Sequence, residues 1–167
     1  MKMIDITIPI YEGMGQGSVF PEETEYVVED ITTYEDNLVR LVRLTMFQEP
    51  GTRLMLGSIM AEHKDERMVD EVPLPEIVLK DACVLKLPAG ERHDITADDV
   101  EVSIKNSAVQ SGDALLFHTG WGDDERYFEL ADNYPLKSPW FTDEACAKIL
   151  EFCKSNGSNI FGYDTAN

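Results

Sequence analysis

The sequence predicts an α/β domain, and three stretches carry that prediction. Residues 3–10 alternate, with Ile4, Ile6, Ile8 and Ile10 on one face, the pattern of a half-buried strand. Residues 142–155 hold the clearest helix. Thr142-Asp143-Glu144 opens it, Ala145, Ile149, Leu150 and Cys153 make its apolar stripe, Lys148 and Lys154 lie on its rim, and Gly157 suits its end. Apolar runs at 114–118 and 160–163 flank this helix, giving a βαβ unit with parallel strands and a right-handed crossover. Ligands of such units gather at the C-terminal strand ends, which here carry His118 and Asp164.

The other elements follow in order. Residues 12–21 hold three glycines and a proline and read as a loop. Gly13-Met14-Gly15-Gln16-Gly17 opens no obvious helix, so it reads as flexible chain rather than a phosphate cradle. Residues 24–32 and 38–47 are predicted strands joined through Glu35-Asp36-Asn37. The second is rich in β-branched and large apolar residues and shows Arg40 on one face and Arg43 on the other. Pro50-Gly51 ends it, because proline has no N–H to donate and glycine tolerates positive φ. Thr52-Arg53 and an apolar run broken by Gly57-Ser58 come next, which fits either a pocket floor or a hairpin with a charged rim. Residues 62–71 mix charges of both signs, as on a solvated excursion; 74–79 reads as a short helix and 82–87 as a buried strand. Thr96-Ala97-Asp98-Asp99 has the form of a capping signal and opens a short helix. Residues 123–130 suggest a turn or two of helix, and 134–140, with two prolines, a loop.

Composition narrows the function classes. A chain of 167 residues is expected to fold as one domain over 1–167. Its 14 basic residues against 32 acidic ones give a net charge of -18, a field that repels phosphate backbones and anionic lipid. Nucleic-acid and membrane-surface roles are therefore not expected. No run approaches the ~18 apolar residues of a membrane span, and Asp5 interrupts the early apolar stretch where a signal peptide would lie. Cys83, Cys146 and Cys153 form no Cys-x-x-Cys, and the last two lie seven apart on the predicted helix, too far to pair. Buried, reduced thiols in a cytoplasmic protein are the expectation. A nucleophile elbow, a Walker loop and a Gly-x-Gly-x-x-Gly are all absent from the sequence.

Four landmarks then coincide: Ile4-Asp5-Ile6-Thr7-Ile8-Pro9-Ile10, Gly51-Thr52, Gly112-Asp113-Ala114-Leu115-Leu116-Phe117-His118-Thr119-Gly120-Trp121, and Phe161-Gly162-Tyr163-Asp164. In this order they resemble the cyclase family that includes bacterial kynurenine formamidase. The resemblance implies a swivelling β/β/α domain, a mixed sheet curled toward a barrel with helices outside, assembled as a homo-oligomer (dimer or tetramer). It also implies zinc or manganese held by a motif of the form His-x-Gly-Thr-His-x-Asp-x-Pro-x-His. Aligned on its Gly-Thr, that motif falls on Glu49-Pro50-Gly51-Thr52-Arg53-Leu54-Met55-Leu56-Gly57-Ser58-Ile59. Glu49, Arg53 and Ile59 replace the histidines and Met55 the aspartate, so no metal cofactor is expected. Family members also continue past the strand that ends at Asp164 and draw further ligands from that tail, whereas this sequence stops at Asn167.

Three functions stay open on this reading. One is a metal-free relative that binds a small carboxylate or a partner through a pocket of Arg53, Thr119, Trp121 and Asp164. Another is a working hydrolase or lyase for amide or lactone bonds, with Glu49 as base, Arg53 stabilising an oxyanion, and His118 as a further catalytic candidate. The third is a structural subunit of a hetero-oligomer. Of the other histidines, His63 and His93 come from separate segments and read as ordinary surface or hydrogen-bonding groups.

Overall fold

A computed structural model describes residues 4–12, 26–47, 51–59, 62, 66–123, 125–130 and 133–166. The glycine loop at 13–17, Glu49-Pro50 and His63 lie outside the described residues. In chain order the elements are β1 (Val27–Thr32), α1 (Tyr34–Asn37), β2 (Leu41–Thr45), α2 (Leu74–Ile77), β3 (Ala82–Lys86), β4 (Asp94–Ile95), α3 (Ala97–Lys105), β5 (Ala114–His118), α4 (Arg126–Leu130), α5 (Asn133–Lys137), β6 (Trp140–Phe141), α6 (Asp143–Asn156) and β7 (Phe161–Tyr163). Single 3-10 turns occur at Gly57–Ile59 and Val69–Glu71.

The predicted βαβ unit is the frame. β5 is the middle strand of the parallel sheet β3-β5-β7, in register Lys86↔His118 on one side and Phe117↔Tyr163 on the other. Leu85, Leu115 and Phe117 from this sheet meet Val100 of α3 and Ala145 and Ile149 of α6 in one buried core. Each Val, Leu, Ile or Phe side chain of this core contributes on the order of 1.5–3 kcal/mol by leaving water. α6 begins and ends where its sequence says it should. The Thr142 hydroxyl accepts the Ala145 N–H at 3.2 Å, and Gly157, at φ +73°, donates back to the Cys153 carbonyl. At α3 the capping signal closes reciprocally: Thr96 N donates to Asp99 Oδ2 at 2.9 Å, and Asp99 N donates to Thr96 Oγ1 at 3.3 Å. Two further pairs stand apart, β4 with β6 in parallel and β1 with β2 antiparallel. Across the β1–β2 hairpin both expected surface cations find acids, Arg40 on Asp30 at 2.7 Å and Arg43 on Glu29 at 3.3 Å.

Several expectations need correction. Residues 4–10 form no strand, and Ile4 and Ile6 are 68% and 62% exposed. Alternation prepares a segment for a ladder but supplies no neighbour, and here Ile8 N donates to Thr52 Oγ1 at 3.2 Å while Thr7 N turns back to Asp5 Oδ1 at 2.9 Å. The strand at 82–87 is an edge with one face outward, so Leu85 is buried while Val84 is exposed. Residues 133–137 are helical although they hold a proline, because Pro135 sits in the first turn, where an N–H has no intrahelical partner. Leu150 leaves the apolar stripe of α6 and is exposed. Of the three free cysteines only Cys153 is buried; Cys83 is partly covered and Cys146 exposed. The α/β class stands, with parallel and antiparallel pairs in separate sheets, and no closed barrel is found among the described residues.

Candidate functional site

Parallel strands that end together deliver their next residues to one place. β5 ends at His118 and runs into the turn Thr119-Gly120-Trp121-Gly122-Asp123, while β7 runs into Asp164 beside it. The Asp164 carboxylate organises that turn. Its Oδ1 accepts from Thr119 N at 2.8 Å and from the Thr119 hydroxyl at 2.7 Å; its Oδ2 accepts from Gly120 N at 3.0 Å and Gly122 N at 3.4 Å. The Thr119 hydroxyl in turn accepts from Trp121 N at 3.0 Å. Behind the carboxylate, the Tyr134 hydroxyl donates to the Asp164 carbonyl at 2.6 Å. Burial pushes the Tyr134 phenol well above its ordinary range, and the Asp164 charge adds to the rise, so it stays a donor. Glycine suits two positions here. Gly120 sits at φ +77°, and a Cβ on Gly122 would come within 3.3 Å of both the Cβ and the carbonyl oxygen of Asp164.

His118 Nε2 lies 3.0 Å from Asp123 Oδ1 and 3.9 Å from Asp164 Oδ2. The hydrogen bond with Asp123 raises the imidazole pKa and partial burial opposes it; the charges of Asp123 and Asp164 add to the rise and Lys86 works against it. His118, Thr119, Trp121 and Asp164 therefore lie together at the strand ends. Thr119 and Trp121 are both only 4% exposed, and each shapes the turn: Thr119 through its hydroxyl, Trp121 by packing on Tyr134 with ring centroids 5.8 Å apart. The residue sequence reasoning missed is Asp123. It belongs to no periodic pattern, and the available signal was the glycine-rich turn, which folds back within five residues of His118.

Arg53 stands at the Gly51 corner, where its Nε donates to Met55 Sδ at 3.4 Å and its Nη1 to the Gly51 carbonyl at 3.5 Å. Its charge does reach Tyr163, lowering a phenol pKa that burial raises. Gly51, at φ +68°, lies against the side chains of Ile8 and Ile10, so segment 4–10 walls this corner. A divalent ion of the zinc type needs N or O donors at ~2.0–2.2 Å. Arg53 is a permanent cation, Met55 offers a thioether and Ile59 only hydrocarbon, so the described part of this corner does not fit such an ion.

The strand ends offer another donor set. One ligand atom each from His118, Asp123 and Asp164 lie within 4.8 Å of one another. An ion there would compete for Asp164 with Gly120 N and Gly122 N, because both carboxylate oxygens already accept two donors. Two of the thiols, Cys146 and Cys153, are poor nucleophiles. Burial raises the pKa of Cys146 and Cys153, with Asp143 adding to the rise at Cys146. Among the described residues no helix is long and apolar enough to cross a membrane.

Comparison with known proteins follows this geometry. The family model described as Putative cyclase matches residues 4–167. No curated protein matches the chain. Among solved structures, isatin hydrolase A from Ralstonia solanacearum is similar with a TM-score of 0.72 at 16% sequence identity, over 98% of this chain and 66% of that one. At this identity the likeness shows the fold alone, and the chain spans 66% of the length of that hydrolase.

Proposed function

We propose, for a chain that belongs to the Putative cyclase family, a hydrolase-related scaffold whose metal-dependent step has lapsed and whose Arg53 corner binds a small carboxylate. One observation carries this reading. Immediately after Gly51-Thr52 stands a guanidinium facing a carbonyl oxygen and a thioether, where the family motif would place an imidazole. A guanidinium repels a dication and presents a planar fork that matches a carboxylate. Segment 4–10 and the β1–β2 hairpin expose Ile4, Ile6, Ile31, Leu41 and Leu44, which supports a homo-oligomer that covers them. The barrel-like closure expected of the fold belongs to the same proposal, since these segments would join a larger sheet once paired.

Titrating the protein with benzoate, followed by NMR, tests the reading. Saturable binding that Arg53→Gln removes, with the rest of the spectrum unchanged, is the expected result. Chelator-sensitive hydrolysis of isatin or N-formylkynurenine would overturn it. A second reading, a metal-independent hydrolase, draws on the His118–Asp123 pair, since an imidazole held by a carboxylate can act as a general base. Turnover that survives chelation and is lost in Asp123→Asn would favour that reading.

A further inference from the structure

Beside the strand-end turn, and separate from the Arg53 corner, lies a cleft of about 440 Å³ between Gly90-Glu91, the Gly120-Trp121 turn, and Arg126 and Glu129 of α4. This volume falls within the roughly 300–1,000 Å³ of small-molecule sites. Its lining carries one cation, Arg126, and two acids, Glu91 and Glu129. Arg126 is locked in place: Nη1 donates to the Gly120 carbonyl at 3.0 Å and the Trp121 carbonyl at 2.9 Å, and the guanidinium lies 4.7 Å over the Trp121 ring. Both hydrogen bonds use one nitrogen, and Nε and Nη2 donate to no protein group among the described residues. Glu129 stands one helical turn further along α4, and Glu91, which also lines the cleft, lies 3.8 Å from Lys137.

We propose that this cleft binds a small zwitterion of the free α-amino-acid type, its carboxylate on Arg126 and its ammonium between Glu129 and Glu91. A pre-held guanidinium loses little freedom when it takes a carboxylate, so the anion end is the anchor. A simple anion would meet Glu91 and Glu129 as well as Arg126, and a simple amine would meet Arg126 as well as the acids. A molecule with both charges a few ångströms apart satisfies all three. The Trp121 indole, stacked under Arg126, lining the cleft and buried with Nε1 lacking a hydrogen-bond partner among the described residues, reports occupancy.

The test is a titration of the full chain, at constant ionic strength, with glycine, L-alanine, L-glutamine and L-phenylalanine, and with acetate and methylamine as half-ligands. Tryptophan fluorescence and amide chemical shifts around Gly90 and Gly120 are the readouts. Saturable binding of at least one amino acid, ten-fold or more tighter than either half-ligand, is expected. Arg126→Lys should weaken it at least ten-fold, because the fork geometry goes while the charge stays. Glu129→Gln, an exposed change that leaves the fold intact, should weaken the amino acid several-fold and tighten acetate. Absence of saturable binding overturns the proposal, as does acetate binding as tightly as glycine or an affinity indifferent to Glu129→Gln. The Arg53→Gln variant separates this cleft from the Arg53 corner: it should leave amino-acid binding unchanged, whatever becomes of benzoate.

Discussion

Replacing Asp164 by alanine removes one side chain and orphans four donors. The magnitude follows from their surroundings. Thr119 is 4% exposed, so its N–H and hydroxyl, now 2.8 and 2.7 Å from Oδ1, would lose their acceptor where water hardly reaches. The Gly120 and Gly122 N–H groups, at 3.0 and 3.4 Å from Oδ2, lie at the lip of the turn and can turn to solvent. A hydrogen bond to a charged acceptor contributes about 1.5–3 kcal/mol. Taking the low end for the two Thr119 bonds and little for the glycine pair gives a loss of about 3 kcal/mol. For a chain of this length that corresponds to a fall in Tm of about 6–12 °C. Asparagine should rescue only part, since its amide keeps an acceptor for Thr119 but turns an NH2 toward the N–H groups of Gly120 and Gly122. Urea denaturation followed by circular dichroism measures both variants. An Asp164→Ala protein within 0.5 kcal/mol of the parent, or an asparagine variant equal to the parent, would refute the view that this carboxylate organises the turn.

Other perturbations probe the same account. Gly122→Ala places a Cβ about 3.3 Å from two Asp164 atoms and should destabilise by about 1–3 kcal/mol through overpacking, read from the same denaturation curves. Thr96→Ala deletes one half of the reciprocal cap on α3 and should cost about 1 kcal/mol, with hydrogen exchange quickening in the first turn of that helix. His118 should titrate, by NMR of its ring protons, above the ordinary value of about 6.5, and Asp123→Asn should bring the midpoint down. Because the folded pKa is the raised one, the stabilisation this pair provides is full below the unfolded-state pKa and is lost as pH rises through the folded pKa. A midpoint unmoved by Asp123→Asn would mean that the hydrogen bond is not what shifts it.

Local chemistry in the sequence reached as far as local structure goes. Thr142 and Gly157 marked both ends of α6, Thr96 and Asp99 the start of α3, and the strand-helix-strand order placed His118 and Asp164 side by side. Each of those signals is a backbone requirement met by a particular residue. Pairing is different. The alternation of Ile4, Ile6, Ile8 and Ile10 describes a face, and nothing in a single strand states which neighbour covers it, so the predicted half-buried strand is an exposed segment here. Proline misled at 133–137 because its effect depends on position within the turn rather than on its presence. The cleft residues Arg126 and Glu129 were invisible for a related reason. They matter only because the Gly120-Trp121 turn and the Gly90 loop come near them in space. Arg53 was legible as a substitution in a motif, whereas its contacts with Gly51 and Met55 were not, because motif spacing carries no information about how the turn folds on itself.

The account stands most directly on metal binding at the Gly51-Thr52 corner. Incubating the purified chain with zinc or manganese, removing loose ions by dialysis, and measuring metal by mass spectrometry tests it, with His118→Ala in parallel to remove any ion held at the strand ends. The account predicts well under one ion per chain in the variant. One tightly held ion per chain in His118→Ala, retained through dialysis and lost when Gly51-Thr52 is altered, would contradict it.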